Sequence, residues 1–214
     1  MKRIMTVLAL AAVAAAPAVA QWVGMPVWNS PKGGTGVTIN GDVGIPNNNG
    51  GKGTAFGARG TVGLANLSLT AGVVSWKPSG QPDNVTSVGG NAAFKIIGGS
   101  LIPLALNFQV GAARAGAANG DSATTRLTAG AGVAVSVPTP GISLEPYLSI
   151  TNRWSKESGI SGTNSNLGWT LGANANFGMV GVHIAYDSER LAPGVTAGTF
   201  GLGAHVALKA PIGM

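Results

Sequence analysis

Two histidines and a few acidic side chains are the residues of this sequence with the chemistry for acid–base catalysis or metal binding. His183 and Asp187 lie four positions apart, which in a β-strand places them on one face but about 13 Å from each other at ~3.3 Å per residue. No serine or second carboxylate is spaced to complete a triad or dyad with them. A zinc site on His183 and His205 lacks a third ligand, and the chain has no cysteine. We therefore expect no catalytic site, no metal and no cofactor, and interpret both histidines as members of a polar network.

Alternating side chains indicate the elements that position these residues. Residues 127–137 read LTAGAGVAVSV, with an apolar side chain at every second position and small or weakly polar ones between. Successive side chains of a strand point to opposite faces, so this segment has one apolar and one small, polar face. A strand that crosses a bilayer needs roughly 9–11 residues. Recurrence of the pattern at about this length predicts ten strands, at 36–45, 54–64, 67–76, 87–97, 102–113, 127–137, 142–151, 166–177, 180–187 and 198–209.

The connections between these strands predict their topology. Four are short turns, near 65–66, 98–100, 138–141 and 178–179, and they alternate with longer polar loops at 46–53, 77–86, 114–124, 152–165 and 188–197. Bacterial membrane barrels combine short periplasmic turns with longer extracellular loops and an even strand number. The predicted fold is an all-β, transmembrane, antiparallel up-and-down β-barrel of about ten strands, with eight or twelve as alternatives. Pro146 lacks a ladder donor and predicts a local bulge in its strand.

Composition favours the same class. Charged residues make up 9% of the chain, against ~25% in soluble domains. Glycine occurs 35 times in 214 residues, about twice the usual ~7%. The apolar fraction of 45% is too high for a disordered chain. The formal charge of +6 is dispersed, with no basic run, so nucleic acid is not an expected partner.

The first residues predict export. A basic start at Lys2 and Arg3, an apolar centre at 4–16 and the small-x-small end Ala18-Val19-Ala20 are typical of a secretory signal peptide. Its apolar centre is shorter than the ~20 residues that a spanning helix needs. We expect a signal peptide at 1–20 cleaved after Ala20, a lead-in segment at 21–33, the barrel at 34–209 and a tail at 210–214. Tryptophans of the lead-in segment suit either the membrane interface or the barrel mouth.

The signal peptide, the alternating strands and the final strand TFGLGAHVALK at 199–209 together resemble the small bacterial outer-membrane β-barrels, the OmpA-type transmembrane and opacity-like group. The resemblance covers the whole mature chain as a pattern. It implies a Gram-negative outer membrane, outer-membrane lipid as the surroundings and insertion by the outer-membrane assembly machinery. A monomer is the favoured state.

Strand parity assigns side chains to the lumen and to the membrane interface. The inward residues are expected to form a polar network that pairs charges across the lumen, because lone buried charges are costly. They are Asp42, Arg59, Lys95, Glu145, Tyr147, His183, Asp187 and His205. Outward aromatic residues at loop-side strand ends, expected to form an aromatic girdle, are Phe56, Trp169, Tyr186 and Phe200.

Three functions are compatible with this pattern. The first is a structural membrane protein or a narrow, porin-like passive pore for small polar solutes. The second is an adhesin or ligand-binding barrel that acts through its five loops. The third is a barrel enzyme acting on lipid or peptide, which is disfavoured because the ten-stranded outer-membrane proteases use a rim histidine and no predicted loop here contains one.

Overall fold

The described residues of the computed structural model are 21–28, 31, 33, 35–98 and 103–208. The predicted signal peptide at 1–20, the tail at 210–214 and Lys209 lie outside them. Eleven strands follow one another along the described chain: β1 Gly36–Pro46, β2 Gly53–Leu64, β3 Leu67–Pro78, β4 Val85–Ile97, β5 Leu104–Ala115, β6 Thr124–Val135, β7 Val137–Thr139, β8 Ile142–Glu157, β9 Asn164–Phe177, β10 Val180–Ala192 and β11 Val195–Leu208.

The strands form one closed antiparallel sheet. Apart from β6 and β7, which do not pair with each other, each strand pairs with its neighbours in sequence. Two further pairings, β1 with β11 and β6 with β8, close the ring. β7 continues β6 in the same register against β8, so the two together are one barrel strand with a gap in its ladder. The all-β, up-and-down barrel of ten strands is therefore confirmed. Closure leaves no unpaired sheet edge, the condition for crossing a bilayer with strands.

Pro146 explains the gap between β6 and β7. In the common register it lies opposite Val135, where the ladder breaks, because proline has no N–H to donate. The pairing of Pro146 with Ala173 on the other side continues without a register shift. The bulge predicted at Pro146 is therefore wrong. The compact turn predicted at 138–141 is also shorter than expected, since Pro138 and Thr139 pair within β7.

Several strands are longer than the sequence predicts, and the extensions shorten two loops. β8 continues to Glu157, so the loop before β9 spans only 158–163. β10 and β11 extend to Ala192 and Val195, which leaves Pro193 and Gly194 as a two-residue turn in place of a long loop. We call the end of the barrel that carries residues 47–52 the loop end, and the end that carries Ala65 and Asn66 the turn end.

The two faces of the sheet have opposite chemistry. Outward side chains are large, apolar and exposed on every barrel strand; in β10 they include Val180, Val182, Ile184 and Tyr186. Residues between them point inward and are buried and polar, such as His183 and Asp187. No helix among the described residues is long and apolar enough to span a membrane.

Candidate functional site

Residues 21–28 lie inside the barrel, and we call them the lumen segment. Trp22, Met25 and Val27 are among the most buried side chains of the described chain. A turn brings the amide of Met25 within 3.2 Å of the carbonyl of Trp22, and it requires a positive φ, 76°, at Gly24. The indole of Trp22 donates to the carbonyl of Gly72 on β3 over 3.1 Å. The lead-in segment predicted at the interface or the mouth thus fills the lumen itself.

Glycines of the barrel wall make room for the lumen segment. A Cβ built on Gly201 would lie 2.5 Å from Pro26 and 2.6 Å from Trp28. A Cβ on Gly57 would lie 2.9 Å from Val74 and 3.1 Å from Met25. A larger residue at position 201 would overlap the rings of Pro26 and Trp28, and one at position 57 would require the Val74 and Met25 side chains to shift.

A first group of polar residues, the central cluster, crosses the middle of the lumen. Arg59 of β2 contacts Asp42 of β1 through Nε and Nη2, at 2.6 and 3.0 Å. Asp42 Oδ1 lies 2.6 Å from His183 Nε2 on β10. Two further contacts extend this series of polar side chains. The Nδ1 atoms of His183 and His205 lie 3.2 Å apart, and His205 Nε2 lies 2.8 Å from Asn176 Oδ1. This cluster joins four strands, β1, β2, β9 and β10, to β11.

A second group, the loop-side cluster, lies nearer the loop end. The guanidinium of Arg153 on β8 binds Asp187 of β10 in a bidentate pair, with both N–O distances 2.7 Å. It also contacts Glu189 at 3.4 Å, and Arg126 of β6 binds the same carboxylate at 3.1 Å. Thr170 donates to Asp187 Oδ2 over 2.6 Å. Two guanidinium groups thus neutralise two buried carboxylates, which makes their burial tolerable.

The lumen segment connects the two clusters. The amide of Val27 and the side-chain amide of Gln21 both contact the Asp187 carboxylate, each at 3.4 Å. Trp28 packs edge-on against His183 with ring centroids 4.7 Å apart, and the Arg59 guanidinium lies 5.2 Å from the Trp28 ring centroid. The segment is therefore held by backbone, amide and aromatic contacts at two heights of the barrel.

The structure brings together half of the eight residues expected in one polar network. Asp42, Arg59, His183 and His205 form the central cluster, whereas Asp187 belongs to the loop-side cluster. Glu145 accepts from Asn174 at 3.2 Å near the turn end. Tyr147 is buried beside Ala105 and Ala134. Lys95 is half-buried and forms no ion pair with a carboxylate of the described chain.

Five partners of the loop-side cluster lie outside the predicted network: Arg126, Arg153, Glu189, Thr170 and Gln21. Arg126 and Arg153 are expected only near the barrel mouth and Glu189 in a loop, because polar runs follow the apolar part of β8 and β10. Parity alone indicates their place, since 189 continues the inward series 183, 185, 187 and 153 continues 145, 147, 149, 151. The sequence does not indicate that Thr170 or Gln21 joins this cluster. A threonine is common on either face of a strand, and Gln21 lies in a segment without periodicity.

The four predicted interface aromatics all lie on the outer face near the loop end. Phe56, Trp169, Tyr186 and Phe200 are exposed. Trp169 and Tyr186 are 5.8 Å apart between ring centroids, and Tyr186 pairs with Phe200 across the ladder. Aromatic rings at one level of an apolar cylinder are typical of a membrane interface.

Described residues line a cavity towards each end of the lumen, and Trp28 and Arg59 line the one nearer the turn end. The turn-end cavity, of about 320 Å³, is lined by Trp28, Glu145, Tyr147, His183 and His205 among others. The loop-end cavity, of about 310 Å³, is lined by the lumen segment from Gln21 to Met25 and by Arg126, Asp187 and Glu189. Trp28 of the lumen segment lines the turn-end cavity, and residues 21–25 of the same segment line the loop-end cavity.

The arrangement offers little to covalent or metal chemistry. No serine or threonine hydroxyl of the described chain hydrogen-bonds to His183 or His205, whose partners are Asp42, Asn176, Arg59 and each other. No group of three or more His, Asp or Glu side chains within the described ranges is placed to hold a metal ion. The geometry is that of charges that tie strands together.

Comparison with known proteins shows similarity of architecture. No family model and no curated protein sequence matches the chain. The amino-terminal β-barrel domain of Pseudomonas aeruginosa OprF is 10% identical, with 83% of this chain and 100% of that chain covered and a TM-score of 0.38. Neisserial surface protein A is 13% identical, with 83% and 100% covered and a TM-score of 0.41. The outer-membrane protease OmpT of Escherichia coli is 8% identical, with 81% and 94% covered and a TM-score of 0.41.

Proposed function

We propose that this chain is a lipid-embedded barrel of the Gram-negative outer membrane whose lumen is closed by its own amino-terminal segment. Its role in this state is structural, and the lumen conducts solutes only when that segment leaves. The observation that carries the proposal is the burial of residues 21–28 between two lumen cavities.

The outer face supports the membrane part of the proposal. Exposed Leu, Ile, Val and Phe side chains cover it from strand to strand. Soluble monomers rarely expose apolar patches beyond a few hundred Å², and each exposed side chain of this kind loses about 1.5–3 kcal/mol that burial would provide. Lipid supplies that burial. Outer-membrane lipid and the outer-membrane assembly machinery are accordingly the proposed partners, and a monomer suffices because the barrel closes on itself.

The lumen supports the structural part. A ten-stranded barrel lies just above the size at which side chains alone fill the interior. Here Trp22, Met25 and Trp28 of the lumen segment fill the remaining space, together with Arg59 and Tyr147 from the wall. No specific contact favours catalysis, and binding of a surface ligand through the loops remains a prediction.

Planar-bilayer recording tests whether the lumen is closed. We expect the mature chain to insert without steady conductance steps, and a Trp22→Ala, Trp28→Ala double variant to show frequent openings, because the segment loses its two largest anchors. Trp169→Ala is the matched control, since Trp169 lies on the outer face, and it should conduct no more than the parent. Steady conductance of the unaltered mature chain would contradict the closed lumen.

A further inference from the structure

The position of Gln21 in the barrel has a consequence for processing. Gln21 is buried in the loop-end half of the lumen beside Asp187, whereas β1 begins at the turn end with Gly36. The chain therefore runs from the loop end, down past Trp28, to the turn end. Gln21 itself lines the loop-end cavity.

We propose that the α-amino group released when the peptide bond between Ala20 and Gln21 is hydrolysed occupies the loop-end cavity as the third cation of the loop-side cluster, and that this cleavage is required for the lumen segment to seat. A peptidase adds one water across the bond, which leaves a carboxylate on Ala20 and an amine on Gln21. The amine takes up a proton to become an ammonium group. The inference deepens the proposed function, because it names the step that closes the lumen.

Charge complementarity supports an ammonium group at this place. Asp121, Asp187 and Glu189 line the loop-end cavity, and Arg126 and Arg153 are the guanidinium groups that bind the two buried carboxylates. The two guanidinium groups neutralise the two buried carboxylates, whereas Asp121 is exposed and forms no ion pair with an arginine or lysine of the described residues. The cavity lining therefore has one carboxylate, that of Asp121, with which an ammonium group can pair.

The contacts of Gln21 supply a second, independent observation. Its Nε2 atom already donates toward Asp187 Oδ1, but its Oε1 atom is buried without a hydrogen-bond partner. An unpartnered buried carbonyl oxygen is costly. The α-amino group of Gln21 would supply a hydrogen-bond donor for this oxygen in the same cavity.

The packing around Trp28 explains why an uncleaved chain would not seat. The Trp28 ring lies against both the Arg59 guanidinium and the His183 ring, so these three side chains occupy the middle of the lumen. A precursor whose first twenty residues are held on the periplasmic side would have to pass a second strand of chain through this level. Cleavage removes that requirement.

Amine acylation with mass-spectrometric readout tests the location of the amino group. In the folded mature chain we expect the Gln21 α-amine to react roughly tenfold or more slowly than in the urea-unfolded chain, because reaction then requires local opening. The exposed Lys52 and Lys156 side chains are internal controls that should react at similar rates in both states. Asp187→Asn should accelerate acylation of the Gln21 amine in the folded protein, and Glu189→Gln is the second variant should the first not fold.

Equal acylation rates in the folded and unfolded chains would overturn the proposal, and so would an amino terminus cyclised with loss of ammonia or located at another residue. A chain with six neutral residues retained before Gln21 tests the requirement for cleavage. We expect it to insert in lipid but to conduct and to show acrylamide-accessible tryptophans. If it closes as well as the mature chain, the requirement is wrong. Lipid insertion itself, followed by heat-modifiable gel mobility, tests the proposed function separately.

Discussion

Gly172 shows how closely single residues are fitted to the lumen. It lies on β9 directly opposite Tyr147 of β8, and a Cβ built on it would lie 2.3 Å from the Tyr147 ring. Tyr147 is itself buried beside Ala105 and Ala134, so the ring must shift against this packing or into the turn-end cavity to make room. Inward glycines such as Gly172 thus leave the room that a large neighbouring side chain occupies.

A Gly172→Ala substitution should therefore destabilise the barrel by about 1–3 kcal/mol, the usual cost of overpacking a filled core. Gly60→Ala is the matched control, because a Cβ there meets nothing within 4 Å. Denaturant unfolding in detergent micelles, followed by tryptophan fluorescence, measures both. Equal stabilities of the two variants would show that the Tyr147 site is loosely packed.

Arg153 tests the energetics of the loop-side cluster. Arg153→Met removes the bidentate partner of Asp187 and leaves a buried carboxylate short of positive charge, for an expected loss of about 3–5 kcal/mol. The exposed Lys156 lies on the same strand, and Lys156→Met should change the free energy of unfolding by less than about 0.5 kcal/mol. A combined Arg153→Met, Asp187→Leu variant should recover part of the loss. An unchanged stability of Arg153→Met would mean that water, not protein, solvates Asp187.

Alternation along the strands predicts which side chains of the site point inward, but not which of them contact each other. The inward positions of Asp42, Arg59 and His183 follow from the alternation of their strands. The pairing of the charges does not follow from the alternation, because cross-strand register and barrel diameter decide whether Asp42 contacts Arg59 or Arg153. Asp187 accordingly pairs with Arg153 rather than joining His183.

Among the elements, the strands are predictable and the lumen segment is not. Alternation fixes strand existence, because one face must meet lipid and the other the lumen. Strand ends are less certain where polar residues continue the inward series past the apolar band, as they do in β8 and β10. Residues 21–28 have no period, since the segment is surrounded by barrel on every side and contacts it through turns rather than through one face.

The seating of the lumen segment depends on small residues in the wall. Gly201→Val would place side-chain atoms where Pro26 and Trp28 lie, and should expel the segment while the barrel stays closed. The expected result is a red-shifted tryptophan emission and greater acrylamide quenching. Gly41→Val is the control, because Gly41 is exposed and a Cβ there meets nothing within 4 Å. If Gly201→Val leaves the fluorescence unchanged, the segment is not packed against β11.

At the scale of the whole molecule, the chain inverts the usual arrangement of a soluble protein. Many of its large apolar side chains are exposed on the outer face, whereas six charged residues are buried in the lumen, namely Asp42, Arg59, Glu145, Arg153, Asp187 and Glu189. Only 9% of residues are charged, and the carboxylates of Asp42, Asp187 and Glu189 are taken up in lumen ion pairs. Such a distribution is stable only where the outer face meets an apolar solvent.

The most direct test of this account is the free energy of folding into lipid vesicles of two isoleucine variants. Ile184 lies on the outer face of β10 and is 45% exposed, and Ile160 lies in the loop at 158–163 and is 56% exposed. If the barrel spans a bilayer, Ile184→Arg should cost about 2–4 kcal/mol, because it puts a charge in the hydrocarbon layer, while Ile160→Arg should cost about 0–1 kcal/mol. Equal, small effects of both substitutions, in a mature chain that dissolves as a monomer without detergent, would contradict it.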